Sequence, residues 1–329
     1  MVHVHGFFPY IYVPAPAGIA EEELPHFIEA LEKEAQGKSI DVCIVERKNI
    51  YGYGGEVGQK FIKITSPNGN HSNAVRRVLE NGMAWGRHPS KPHATFESNL
   101  PFVMRFMIDC QISGMNWIEL PAGSYKLRRD YEKTGTCQIE ADVMFDKLLS
   151  HHPEGEWSHI APLRVLSFDI ECAGRKGAFP EASQDPVIQI ASTLTVQGEA
   201  IPRVRHVLTL GSCSNIVGAE VYSFEDEGRM LMAWLEFVQL TDPDVVIGYN
   251  ILNFDFPYLL DRAEALGLDA FPFLGRIAGS HTKAKDAIFS SKAYGTRESK
   301  SLNIEGRILF DILQVMQRDY KLRSYSLNA

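Results

Sequence analysis

No stretch of the 329 residues approaches the roughly 20 consecutive apolar side chains that a bilayer-crossing helix requires. The opening MVHVHGFFPY has no basic segment, apolar core or small-residue cleavage site, so neither a secretion signal nor a membrane partner is expected. Cysteine is scarce and scattered: Cys43, Cys110, Cys137, Cys172 and Cys213 stand singly, with no C-x-x-C pair. That spacing disfavours a disulfide framework and a thiolate zinc site and leaves reduced thiols as the expectation. The eleven histidines contain no i, i+4 pair for zinc. The glycine-rich run from Tyr51 to Gly58 lacks the G-K-[ST] ending of a phosphate-cradling loop and reads as a hairpin turn. Basic charge is in deficit as well, 33 Lys and Arg against 41 Asp and Glu, for a net −8. Duplex binding rests largely on Lys and Arg displacing counterions, which speaks against a nucleic-acid partner. Net charge says little about one cleft, however, and a nuclease collects carboxylates to hold cations.

What is present is ordinary globular material, 45% hydrophobic and 22% charged, enough for two cores of usual size. The first hundred residues read as a strand (GFFPYIYV), a helix from Glu21 to Glu34 ended by Gly37, two strands (DVCIVERK, KFIKIT) and a helix (NAVRRVLENG). That β-α-β-β-α order resembles most of a ferredoxin-like or RNA-recognition unit. No basic-aromatic strand face accompanies it, so a clamp-like structural role is the preferred reading. A second stretch, PFVMRFMIDCQISGMNWIEL through CQIEADVMF, is read as strand-rich and assigned to the same β-rich α+β N-terminal domain, residues 1–155. His151 to Pro162 reads as the linker.

Beyond it the pattern becomes LRVLSFDIE, PVIQIASTLTV and HVLTLG as strands, a helix from Glu225 to Leu240, the buried strand DVVIGYN, and a helix from about Phe256 to Leu266 ended by Gly267. Three strands followed by helix, strand, helix is the order of a ribonuclease H-like α/β fold, expected over residues 156–329. The chain opens directly in a strand and closes at RSYSLNA, where Ser324 or Ser326 resembles the N-cap of a helix. A chain cut at both ends, with the second domain truncated, is the expectation.

In LRVLSFDIE an apolar strand runs into Asp169 and Glu171, whose side chains share one face while Ile170 turns to the other. Two acids ending a strand can simply face water. In GYNILNFDFPYLL a strand ends at Tyr249 and Asn250 and Asp255 stands near the first turn of a helix, where helix capping alone would account for it. The two segments together carry more weight than either. An acidic dyad on one strand and a third acid at a later strand-to-helix junction is what convergence on two metal ions requires. Hydrolysis of a phosphodiester needs an attacking hydroxide at neutral pH and neutralised attacking and leaving oxygens, which two divalent cations roughly 3.5–4 Å apart supply. Mg²⁺ or Mn²⁺ prefers hard oxygen ligands, so carboxylates fit. Asp169 would bridge the ions, Glu171 help hold the water-activating ion, and Asp255 complete the ion facing the leaving 3′ oxygen.

FDIEC at 168–172 and YNILNFDFPYLL at 249–260 resemble the first and second exonuclease motifs of family B DNA polymerases. LRVLSFDIECAGRKG, PDVVIGYN, FPFLGRIAG, DYKLRSYSLNA, HGFFPYIYVPAP and NWIELPAGSY are similar to the eukaryotic delta branch of that family, so the resemblance covers essentially the whole chain. It implies a 3′→5′ proofreading exonuclease region acting on the single-stranded 3′ end of a DNA primer-template, and a nuclear location. It also implies accessory subunits, a sliding clamp, an iron–sulfur cluster and a polymerase region belonging to parts of the protein outside this chain. The family's third exonuclease motif, a helix bearing Tyr and Asp, would lie past residue 329, and little nuclease activity is expected without it. Asn250 and Phe254 would contact the frayed 3′ end, although a turn Asn and a core Phe explain them equally well. His281 to Lys300 would form a hairpin that partitions the primer strand, and Asp311 in RILFDI reads as a strand-end or capping acid. A stand-alone exonuclease on RNA and a catalytically inactive nucleic-acid-binding scaffold remain the alternatives.

Overall fold

The computed structural model describes residues 1–48, 58–291 and 295–327. The glycine-rich turn expected at 51–58 lies, but for Gly58, outside them, as does Tyr294. The chain divides into two compact units: Val2–Leu127 with Glu140–His159, and Arg128–Ile139 with Ile160–Ala329. Their membership crosses the boundary expected at 155/156. Arg128–Ile139 joins the second unit through backbone bonds, Thr136 N–H to the Arg276 carbonyl at 2.9 Å and Ala278 N–H to the Thr134 carbonyl at 2.8 Å.

The first unit contains β1 (Val2–His5), β2 (Tyr10–Pro14), α1 (Leu24–Ala35), β3 (Asp41–Arg47), β4 (Gln59–Thr65), α2 (Gly69–Asn81), β5 (Met83–Trp85), β6 (His88–Lys91), α3 (Phe102–Asp109), β7 (Trp117–Glu119), β8 (Tyr125–Leu127), β9 (Ala141–Met144) and β10 (Leu149–His151). β4 lies between β2 and β3 and runs antiparallel to both, the split β-α-β expected of a ferredoxin-like unit. Residues four apart, apolar but for His71, give each covering helix one buried stripe: Phe27, Leu31 and Ala35 on α1, His71, Val75 and Leu79 on α2. The apolar five pack with Ile11, Val13, Ile62 and Ile64 from the sheet. α1 ends on Gln36, in the left-handed region at φ 53°, and not on the expected Gly37. The segment PFVMRFMID is the helix α3, where the sequence suggested strand. It is a run of only eight residues, six of them apolar, and so short an apolar run does not separate the two states. The expected linker is structured too: β10 pairs with β7, and a short 3-10 turn at Gly155–Ser158 lays Trp157 flat on His151 at 3.7 Å.

The second unit is built on one six-stranded sheet of β11 (Arg164–Cys172), β12 (Val187–Val196), β13 (Val204–Leu210), β14 (Glu220–Phe224), β15 (Val245–Gly248) and β18 (Ile308–Asp311), in the order β14-β13-β12-β11-β15-β18. β11, β12 and β13 are antiparallel neighbours, whereas β15 and β18 run parallel to β11. That is the ribonuclease H-like arrangement expected, with β14 added beside β13. The helices are α4 (Glu227–Thr241), α5 (Asp255–Ala265) and α6 (Ile312–Asp319). A separate hairpin of β16 (Ala284–Ser291) and β17 (Gly295–Leu302) forms where one was expected. Leu166, Phe168 and Ile170 point from β11 into the core, where Phe168 meets Trp234 of α4 and Phe256 of α5, both with ring centres at 4.9 Å. Burying such aromatic side chains is worth about 2–3 kcal/mol each. It also sets the register that turns the odd positions of β11 outward.

Candidate active site

Because Phe168 and Ile170 are fixed inward, Asp169 and Glu171 emerge together on the exposed side of β11. β15 stops at Gly248, and its ladder with β11 ends at the Ser167–Ile247 pair. The Ile170 N–H beyond that point is met by Asp255, whose Oδ1 accepts it at 3.2 Å from 85 residues away. The third acid is thereby brought against the backbone between the first two.

The delivery of Asp255 depends on the turn from β15 into α5. Gly248 admits no side chain: a Cβ there would stand 2.3 Å from Ile251 Cγ2 and 2.8 Å from the Phe168 carbonyl oxygen. Asn250 takes the left-handed conformation at φ 66°, which asparagine tolerates better than most residues. Its carbonyl accepts from the N–H groups of Asn253 and Phe254, closing the turn. Phe254, not Asp255, occupies the N-cap position of α5, and it makes no side-chain cap bond. Asp255 is the first helical residue, with Pro257 behind it where a missing N–H costs little.

The electrostatics of the acids are unbalanced. Asp255 is 1% exposed and no Lys, Arg or His pairs with it among the described residues. Burial, then the nearby Asp169 charge, push its carboxyl from 3.8 up to about 7, against the bond from the Ile170 amide. Burial also raises Asp169. A donor set of carboxylates alone, with one of them buried and uncompensated, suits a hard divalent cation. Yet among the described residues no three or more His, Cys, Asp or Glu side chains are already gathered around one point in a way that could hold a metal ion. The chemistry of the donors fits such an ion.

Asn250 and Phe254 are both half-buried beside this turn. The Phe254 ring stands 5.5 Å from Phe179, which is 75% exposed and which sequence reasoning passed over. The Cys172 thiol, next along β11, is pushed up to about 11 chiefly by burial, and the Tyr258 hydroxyl donates to the Asp185 carbonyl at 2.8 Å. Asp311 is not among the acids on β11. It caps α6, its Oδ1 accepting from Leu313 N–H at 3.0 Å, as a strand-end capping acid should.

The family model described as DNA polymerase family B, exonuclease domain, matches residues 93–329. The DNA polymerase delta catalytic subunit of Schizosaccharomyces pombe is 52% identical over 334 residues, taking in 100% of this chain and 31% of that protein. Those of Glycine max and Bos taurus are 49% and 46% identical, each over 99% of this chain and 31% and 30% of the relative. The chain therefore spans less than a third of the length of these relatives. Among solved structures, the family B DNA polymerase from the hyperthermophilic archaeon Pyrobaculum calidifontis aligns with a TM-score of 0.59 at 24% identity, over 95% of this chain and 33% of that one, a likeness of fold.

Proposed function

Because the chain belongs to the family B DNA polymerases and carries their exonuclease domain, we propose that Asp169, Glu171 and Asp255 hold two Mg²⁺ or Mn²⁺ ions for hydrolysis of the 3′-terminal phosphodiester of DNA. The observation that carries this reading is the Ile170 N–H to Asp255 bond, which seats a distant, uncompensated carboxylate on the strand that bears the other two. When bound, the ions would supply a hydroxide at neutral pH and neutralise the attacking and leaving oxygens. The chain's own residues do the rest. Asp255 gives up its proton near neutrality to become a ligand, and Phe254, with Phe179 beside it, offers a ring face for a terminal base. Asn250 presents its side chain at the same turn to the frayed end. DNA as substrate, the accessory subunits, the clamp and the nuclear location belong to this same reading of the whole protein, by family.

The test is an EPR titration of the chain with Mn²⁺ at pH 8. The free-ion signal should be quenched by the wild type and far less by Asp169→Ala or Asp255→Asn. Any release of the terminal nucleotide from 3′-labelled single-stranded DNA should disappear in Asp169→Ala. Equal Mn²⁺ uptake by all three proteins would overturn the assignment. A catalytically inactive DNA-binding module is favoured by one observation, the acids not yet gathered into a metal site; it requires that the wild type take up no Mn²⁺.

A further inference from the structure

We infer that Asp311 is the positioning residue of this site: it fixes the turn that delivers Asp255, and so matters to the site without touching metal or substrate. Asp311 closes β18 opposite Gly248 and is 4% exposed. Its two oxygens accept three backbone N–H groups: Oδ1 takes Asn250 at 2.8 Å and Leu313 at 3.0 Å, and Oδ2 takes Leu252 at 3.1 Å. No ion pair among the described residues includes it, so the amides and the positive end of α6 are what balance a buried charge.

A helix cap uses one of those three bonds, and the other two go to a loop 59 and 61 residues away. They hold Asn250, whose left-handed backbone starts the turn, and Leu252 inside it. From Asn250 the grip passes along the backbone, since its carbonyl holds the Asn253 and Phe254 N–H groups immediately before Asp255. On the far side of the turn, Asn253 Oδ1 accepts the Lys300 N–H of β17 at 2.9 Å. The turn is therefore held at both ends, and Asp311 supplies the buried one. Groups that hydrogen-bond a metal's own ligands typically change its affinity about 10–100-fold when removed, and Asp311 acts one bond further out, through Asn250, which puts its effect at the low end of that range.

The inference rests on Asp255 being a site residue, but its test does not need the metal. Ile170 N–H donates to Asp255, so its exchange with solvent reports where Asp255 sits. In NMR-detected exchange of the metal-free chain, Asp311→Ala should speed Asn250, Leu252 and Ile170 about tenfold or more, while Leu166 and Ile190 in the core keep wild-type protection. Asp311→Asn, which retains one acceptor oxygen in place of two, should restore much of that protection. With Mn²⁺, Asp311→Ala should bind about tenfold more weakly, and Asp311→Asn should lie between it and the wild type. Unchanged exchange at Ile170 in Asp311→Ala overturns the inference. So does wild-type Mn²⁺ affinity in Asp311→Ala when Asp255→Asn has lost it, and that result leaves the metal assignment standing. No Mn²⁺ uptake by the wild type defeats the metal assignment, while the Ile170 amide still decides what Asp311 holds. Should Asp311→Ala unfold as a whole, Asp311→Asn decides through Leu252, whose N–H would then face an amide donor in place of Oδ2: wild-type exchange at Leu252 there refutes the role.

Discussion

Two buried aspartates of the same unit live in opposite environments. Asp242, 9% exposed at the end of α4, accepts from Arg276 Nε and Arg307 Nη1, both at 2.8 Å. Burial alone would raise its carboxyl, but the hydrogen bonds and charges of those two guanidiniums hold it below its ordinary range. Asp255 is more deeply buried, has backbone amides and two other acids, Asp169 and Asp311, for company, and is pushed up to about 7. A fold that neutralises one acid with two arginines and leaves another unpaired has a structural carboxylate in the first place and an open valence in the second. The same unit repeats the neutral solution at Glu227, which takes Arg262 through both oxygens at 2.9 and 2.7 Å.

The contrast can be broken by giving both aspartates the same substitution. Asp242→Asn leaves the fully buried Arg307 side chain without its carboxylate, and its Nη2 already has no hydrogen-bond partner among the described residues. Removing one member of a buried pair costs about 3–5 kcal/mol, to be read as a lower urea midpoint. Asp255→Asn should act the other way. The unfolded chain releases this proton near 3.8 and the folded chain near 7, so across that interval the folded state binds more protons and stability falls as pH rises. The full cost, at most about 4 kcal/mol at roughly 1.4 kcal/mol per tenfold, is present above about pH 7 and absent below about 4. In EDTA, Asp255→Asn should therefore match the wild type near pH 4 and exceed it at pH 8, and Mn²⁺ should narrow that gap by stabilising the wild type alone. Destabilisation at pH 8 would remove the claim that Asp255 is an uncompensated acid. The smallest effect sharpens the scale with an acid of a third kind: Asp226, which caps α4 by accepting from Arg229 N–H at 2.8 Å. Asp226→Ala should cost about 1 kcal/mol, with no dependence on Mn²⁺.

Much of this was legible beforehand where periodicity is strong. Alternation along LRVLSFDIE placed Asp169 and Glu171 on one face, and α1 and α2 were read as helices close to where they lie. β14 was not visible, because EVYSF at the sheet edge keeps no residue fully buried and shows little alternation. α3 was misread because eight mostly apolar residues are too short a run to tell a helix from a strand. Phe179 carried no signal, being one aromatic in a loop of Gly, Lys and Pro.

What the sequence determined by itself was which side chains share a strand face or a helix stripe, because those relations repeat every two or every three to four residues and are set by backbone geometry alone. Only tertiary structure decided which acids found arginines, that Asp255 lies on the Ile170 amide, and that Asp311 holds the turn between them. Those outcomes join residues about 35 to 85 positions apart. An aspartate's charge state depends on what packs around it in space, which no local pattern of residues encodes.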